Sequence, residues 1–155
     1  MRSVADFYQD CMACADALPP LDVKLADAVS CVLAEDVQAP FNLPVVDLAA
    51  CDGYAVRIRD CEGASLEGPV TLPVTEEIRA GAVDPAALVP GTAIRIASGA
   101  PLPTGAEAVV SLEFTDHGVA QVALRTSPAG GENIRRRAED VAQGDTVLRS
   151  GTRIG

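Results

Sequence analysis

Three short stretches hold the residue types from which chemistry is built. In Asp47-Leu48-Ala49-Ala50-Cys51-Asp52-Gly53-Tyr54-Ala55-Val56, the Asp52 carboxylate stands immediately before a glycine at the start of an apolar segment. A carboxylate at the end of a rigid element is well placed to meet a ligand or a cation, although Asp-Gly is also a common turn dipeptide. In Ile94-Arg95-Ile96-Ala97-Ser98-Gly99-Ala100-Pro101-Leu102-Pro103, a strand-like run enters a small-residue loop that offers one hydroxyl, Ser98. Composition alone favours a plain β-turn there. In Arg135-Arg136-Arg137-Ala138-Glu139-Asp140, three guanidinium groups adjoin two carboxylates. In an extended segment Arg135 and Arg137 face one way and Arg136 the other. Arginine clamps oxyanions bidentately, but a solvated cluster of ion pairs worth roughly 0 to 1 kcal/mol each fits the same pattern.

The elements that would position these groups can be read from periodicity and punctuation. Val4, Phe7, Cys11, Cys14 and Leu18 recur at helical spacing and predict an opening helix with one apolar stripe, closed by Pro19-Pro20. Both cysteines of that stripe read as small core residues. Leu21, Val23 and Leu25 alternate as in a short strand, and 26–34 has the composition of a short helix. Pro40 and Pro44 favour an extended segment. Short apolar runs separated by Gly and Pro follow, with strands expected at 53–57, 70–74, 93–96, 108–114 and 119–125, and a turn and strand over 141–148. The expected fold class is mostly β with a few helices (α+β).

Composition narrows the function classes. Apolar residues make up 48% of the 155-residue chain and charged residues 22%, which is ordinary globular content. The formal charge of −10, from 22 Asp and Glu against 12 Lys and Arg, opposes attraction to phosphate backbones and anionic membranes. Nucleic acid is not an expected partner. No apolar run approaches the ~20 residues that span a bilayer, so no membrane role is expected either. Five cysteines cannot all pair internally, and no secretory leader opens the chain; reduced thiols and a cytoplasmic location are the expectation. Cys11 and Cys14 lack the further ligands that zinc requires. His117, the single histidine, reads as a turn residue in Thr115-Asp116-His117-Gly118.

Taken together and in order, the motifs carry a more specific signal. Val32-Leu33-Ala34-Glu35-Asp36-Val37, Cys51-Asp52-Gly53-Tyr54-Ala55-Val56, Ser98-Gly99-Ala100-Pro101-Leu102-Pro103, Ala108-Val109-Val110, Asn133-Ile134-Arg135-Arg136-Arg137 and Glu139-Asp140 resemble the N-terminal half of the MoeA-type molybdopterin molybdenumtransferases, a family that includes the C-terminal part of gephyrin. The resemblance implies an elongated first domain of 1–45 and 131–155, interrupted by a β-rich second domain of 46–130. It further implies a homodimeric enzyme that inserts molybdenum, delivered as molybdate, into adenylylated molybdopterin with the help of Mg²⁺, its pterin-binding domain lying beyond Gly155. The end at Gly155 reads as a cut, and the fragment is expected to be inactive alone. Carried onto matching positions, Asp52, Ser98 and Asp140 would be catalytic, Arg135 would bind substrate, and Asp52 and Asp140 would contact Mg²⁺. An acidic domain can meet an anionic substrate through such a metal.

The chain also departs from the family pattern. The usual Asp-Asn-Ser-Ala-Met-Asp run reads Asp47-Leu48-Ala49-Ala50-Cys51-Asp52, Ser98 stands where Thr is common, Ala138 replaces a glycine, and Ser30-Cys31 replaces a Gly-Arg pair. A stand-alone, non-catalytic binding or dimerisation module of the same fold is the alternative that these losses leave open.

Overall fold

A computed structural model of the chain describes residues 2–16 and 18–155. Among them are one α-helix, Val4–Ala13 (α1), and nine strands: Val37–Gln38 (β1), Leu48–Ala49 (β2), Gly53–Val56 (β3), Val70–Ile78 (β4), Ala93–Ile96 (β5), Ala108–Ser111 (β6), Gln121–Leu124 (β7), Ile134–Arg135 (β8) and Thr146–Leu148 (β9). The α+β class expected from the sequence is the class observed. Residues cluster into two compact units, 1–37 with 146–155, and 38–145. These limits differ from the expected boundaries at 45 and 131. Backbone bonds from Ala39 to Asp145 and from Leu43 to Val141 tie the flanking segments into the larger unit.

The larger unit is organised by a five-stranded sheet in the order β6-β3-β5-β4-β7. β3 runs antiparallel to both β5 and β6, whereas β4 and β5 are parallel. Alternation along β3 sends Tyr54 and Val56 to one face and Ala55 to the other. Both faces are covered. Tyr54, Val56, Leu72, Ala93, Val110, Val122 and Leu124 form one core cluster, and Ala55, Ile78, Ile94, Ile96, Ala100 and Val109 form a second. A bridge from Thr115 to Leu124 joins the segment after β6 to β7, so the sheet curls toward a small barrel. The Tyr54 hydroxyl donates to the Gly118 carbonyl at 2.9 Å, which satisfies its one polar atom inside the first cluster. Each fully buried Val, Leu or Ile contributes roughly 1.5–3 kcal/mol, so the two clusters account for the unit's cohesion. Gly53 is obligatory: a Cβ there would lie 2.1 Å from the Val110 carbonyl oxygen.

The strands expected at 70–74 and 119–125 occur as 70–78 and 121–124, and the 108–114 run bends after Ser111 into a 3-10 turn over Leu112–Phe114. The turn and strand expected over 141–148 are both found, the strand as Thr146–Leu148.

In the smaller unit α1 begins with a capping box, Ser3 and Asp6 each bonding the other's backbone N–H. The expectation of a buried helical stripe fails here. The helix ends at Ala13, none of its residues is buried, and Cys11 and Cys14 are exposed. Spacing put these residues on one face, but no described segment of the unit packs over that face. The expected strand at 21–25 and helix at 26–34 reduce to a single 3-10 turn, Leu25–Asp27. Residues 30–33 are drawn out instead into a ladder with 151–154, with bonds from Ser30 to Ile154 and from Leu33 to Thr152. β1 pairs with β9. No helix among the described residues is long and apolar enough to cross a membrane.

Candidate functional site

The three motifs converge on β2, inside the larger unit. Leu48 and Ala49 pair with Arg135 and Ile134 of β8, which brings the arginine motif alongside the Asp47–Asp52 stretch. On its other side Ala49 exchanges backbone bonds with Gly99 and Ala100, and the Leu102 N–H donates to the Asp47 carbonyl. The apolar residues at 48 and 49, where the family pattern is polar, therefore pair with both neighbouring motifs. Ala49 is buried against Ala55, Ile96 and Ala100.

Asp52 follows this junction and precedes β3. Its Oδ1 accepts the Ser98 backbone N–H at 2.7 Å, and the Ser98 hydroxyl donates to the Ala50 carbonyl at 3.3 Å. The carboxylate and the hydroxyl loop are thus held to each other at the start of β3. Oδ2 of Asp52 has no hydrogen-bond partner among the described residues.

A second group of charges surrounds Asp47. The Arg137 backbone N–H donates to its Oδ1 at 2.7 Å and the Arg136 guanidinium to its Oδ2 at 2.8 Å. The Arg137 bond, aided by Arg136, holds the Asp47 carboxyl below the usual carboxylate range against the opposing effect of burial. Arg135 donates to Asp140 at 2.5 Å. Arg135 and Asp140 are therefore brought together as an exposed ion pair, and Asp52 and Ser98 as a hydrogen-bonded pair, but no direct contact links the two pairs. Ala138, where the family carries glycine, adopts φ 63°. An L-residue there costs about 1–2 kcal/mol.

Asp52 also lines a cleft of about 130 Å³ with Gly53, Glu77, Arg95, Ile96, Ala97 and Leu112. Neither Asp140 nor Arg135 reaches it. Glu77 and Arg95 escaped the sequence reading: the extension of β4 to Ile78 is what aligns Glu77 with Arg95, which in turn faces Tyr54 across β3. Arg95 did leave a trace, as the lone charge between two buried isoleucines.

No group of three His, Cys, Asp or Glu side chains able to hold a metal converges among the described residues. Mg²⁺ asks less, since one or two carboxylates with waters and substrate phosphates suffice. Asp52, with one oxygen fixed by Ser98 and one without a partner, suits such a single contact; Asp140 is committed through one oxygen to Arg135.

The strand-rich fold also occurs among solved structures. The fold matches the molybdopterin biosynthesis moeA protein of Pyrococcus horikoshii OT3 with a TM-score of 0.80 and 39% identity, over 86% of this chain and 35% of that one. Residues 2–155 match the MoeA N-terminal region (domain I and II), and the chain belongs to that family. It is 50% identical to molybdopterin molybdenumtransferase 2 of Mycobacterium tuberculosis (strain ATCC 25618 / H37Rv), over 97% of this chain and 37% of the relative. With molybdopterin molybdenumtransferase 1 of the same strain it shares 39% identity, over 100% of this chain and 40% of the relative. The chain thus spans well under half the length of these relatives.

Proposed function

We propose that this chain serves molybdenum cofactor biosynthesis as the front part of a molybdopterin molybdenumtransferase, forming one wall of the site where molybdate is inserted into adenylylated molybdopterin. The observation that carries this reading is the 2.7 Å bond from the Ser98 N–H to Asp52 in a chain of the MoeA N-terminal family. That bond fixes a carboxylate at the mouth of a cleft, on the end of a buried strand, where a shared site needs a rigid first wall. Asp52 would hold Mg²⁺, which when bound would supply charge neutralisation for the substrate's phosphates. Ser98 contributes its hydroxyl. Arg135 and Asp140 form a second, more exposed station, where the guanidinium exchanges its carboxylate partner for a substrate oxyanion. The complete protein acts as a homodimer, for which the exposed Phe7, Tyr8 and Met12 of α1 supply apolar surface.

The test is turnover and Mg²⁺ titration of the complete protein carrying Asp52→Asn. Asn keeps an acceptor for the Ser98 N–H, so the fold persists while the charge is lost. Insertion is expected to fall at least a hundredfold (~2.7 kcal/mol), with weakened Mg²⁺ affinity. Unchanged turnover and unchanged Mg²⁺ affinity would remove Asp52 from the site.

A further inference from the structure

The Asp52–Ser98 pair and the Arg135–Asp140 pair make no direct contact, yet Asp47 is bonded to the loops that carry both. Its carbonyl accepts the Leu102 N–H at 2.9 Å, at the end of the serine loop. Its carboxylate accepts the Arg137 N–H at 2.7 Å and the Arg136 guanidinium at 2.8 Å, so both oxygens are engaged by the arginine loop. That loop is pinned at its two ends. Arg135 pairs with Leu48 of β2, and the Ala138 and Asp140 N–H groups donate to the Pro44 and Leu43 carbonyls at 3.0 and 2.9 Å. Between these points the turn closes on itself, the Arg136 N–H donating to the Glu139 carboxylate at 2.7 Å. Asp47 supplies the hydrogen bonds that reach 136 and 137 from outside the loop. Hydrogen bonds to an ionised carboxylate are roughly twice as strong as neutral ones, and Asp47 is half-buried whereas Arg135, Arg136 and Arg137 are exposed.

To take up an oxyanion, the Arg135 guanidinium must leave Asp140 while its backbone stays in place. Anchoring the two residues that follow it meets that need, since a misplacement of about 1 Å can cost on the order of a hundredfold in rate. Asp47 also occupies the Arg136 guanidinium, which leaves Arg135 as the arginine paired with Asp140. We propose that Asp47 is a positioning residue, which ties the arginine loop to β2 and to the serine loop so that Arg135 can pass from Asp140 to a substrate oxyanion without the loop yielding. This rests on the reading that Arg135 receives a substrate oxyanion, and adds to it the residue that sets the arginine in place.

The experiment is steady-state kinetics of the complete protein, with molybdate and adenylylated molybdopterin varied in turn, for Arg135→Gln, Asp47→Ala, Asp47→Asn and each Asp47 variant combined with Arg135→Gln. Arg135→Gln should raise the KM of one of the two anionic substrates. Asp47→Ala should raise that same KM by roughly tenfold or more, and Asp47→Asn, which keeps an acceptor for the Arg137 N–H and loses the Arg136 ion pair, by less. Because Asp47 acts through Arg135, each double variant should fall within about twofold of Arg135→Gln alone, whereas a general loosening of the fold would multiply the two effects. Thermal unfolding reports which variants fold, and Asp47→Asn carries the comparison if Asp47→Ala does not. An unchanged KM in a folded Asp47 variant, effects that multiply in the double variant, or a Mg²⁺ affinity that weakens alongside KM would each overturn the proposal and leave the Arg135 reading in place. If Arg135→Gln itself changes neither KM, the Arg135 reading fails and this proposal with it, while the insertion reading stands or falls by Asp52→Asn.

Discussion

The unit of 38–145 buries two clusters of valines, leucines, isoleucines and alanines, whereas in the unit of 1–37 and 146–155 Ala28 is the only buried residue among those described. The smaller unit is not short of apolar residues: Val4, Phe7, Leu18, Leu21, Leu25 and Val29 all lie exposed. The contrast shows that apolar content does not make a core. Five strands that pair and curl give the larger unit two faces to cover, whereas the smaller one is held by a helix cap and by backbone ladders along an extended ribbon. The candidate site follows this division, since Asp52, Ser98, Glu77 and Arg95 all stand on the sheet or on loops bonded to it.

The largest effect should come from placing a methyl group where the sheet has no room. Gly53→Ala drives a Cβ against the Val110 carbonyl and should destabilise the larger unit by about 3–5 kcal/mol. Phe7→Ser, on the exposed helix, should change stability by less than about 0.5 kcal/mol. Urea unfolding of both variants compares them directly; equal losses would show that the helix face is buried after all.

Thiol reactivity sharpens the same contrast with a natural probe. Cys11, Cys14 and Cys31 are exposed, while Cys61 is buried in the first core cluster and its thiol is pushed up to about 11, chiefly by that burial. Iodoacetamide at neutral pH should modify the three cysteines of the smaller unit promptly. Cys61 should react at least a thousandfold more slowly, since it waits on opening of the sheet. Mass spectrometry of timed samples reads both rates, and comparable labelling of all four would contradict the packing described.

The smallest effect concerns two positions where the family carries glycine. Ser30, in the smaller unit, has φ 69° and Ala138, in the larger, φ 63°. Ser30→Gly and Ala138→Gly should each stabilise by about 0.5–1 kcal/mol, the relief of left-handed strain less the added freedom of the unfolded chain. Thermal unfolding measures both. A loss of stability in either would mean that its side chain makes contacts worth more than the strain.

Much of the sheet was legible because its signals are local. Ala93–Ile96 falls where alternation puts it, and β3 lies within its predicted span, since Gly and Pro bracket short apolar runs whose period is two. The 26–34 segment was misread because helix propensity is weak beside a ladder with residues over a hundred positions away. Of the site, Asp52 and Ser98 were visible as motif residues. Glu77 was not, because it became relevant only once β4 ran on past Val74 to lie beside β5. Asp47, read only as the first residue of its motif, proved to be the carboxylate that holds the arginine loop.

By itself the sequence determined the strand-forming segments, the turns between them, the family and the three groups of reactive side chains, since each of these depends on neighbours a few residues apart. Only the tertiary structure decided which charges meet. Asp52 is joined to Ser98 across 46 positions and Asp47 to Arg136 across 89. Such pairings are set by strand order and register, which a one-residue slip would reverse, and no local pattern along the chain specifies them.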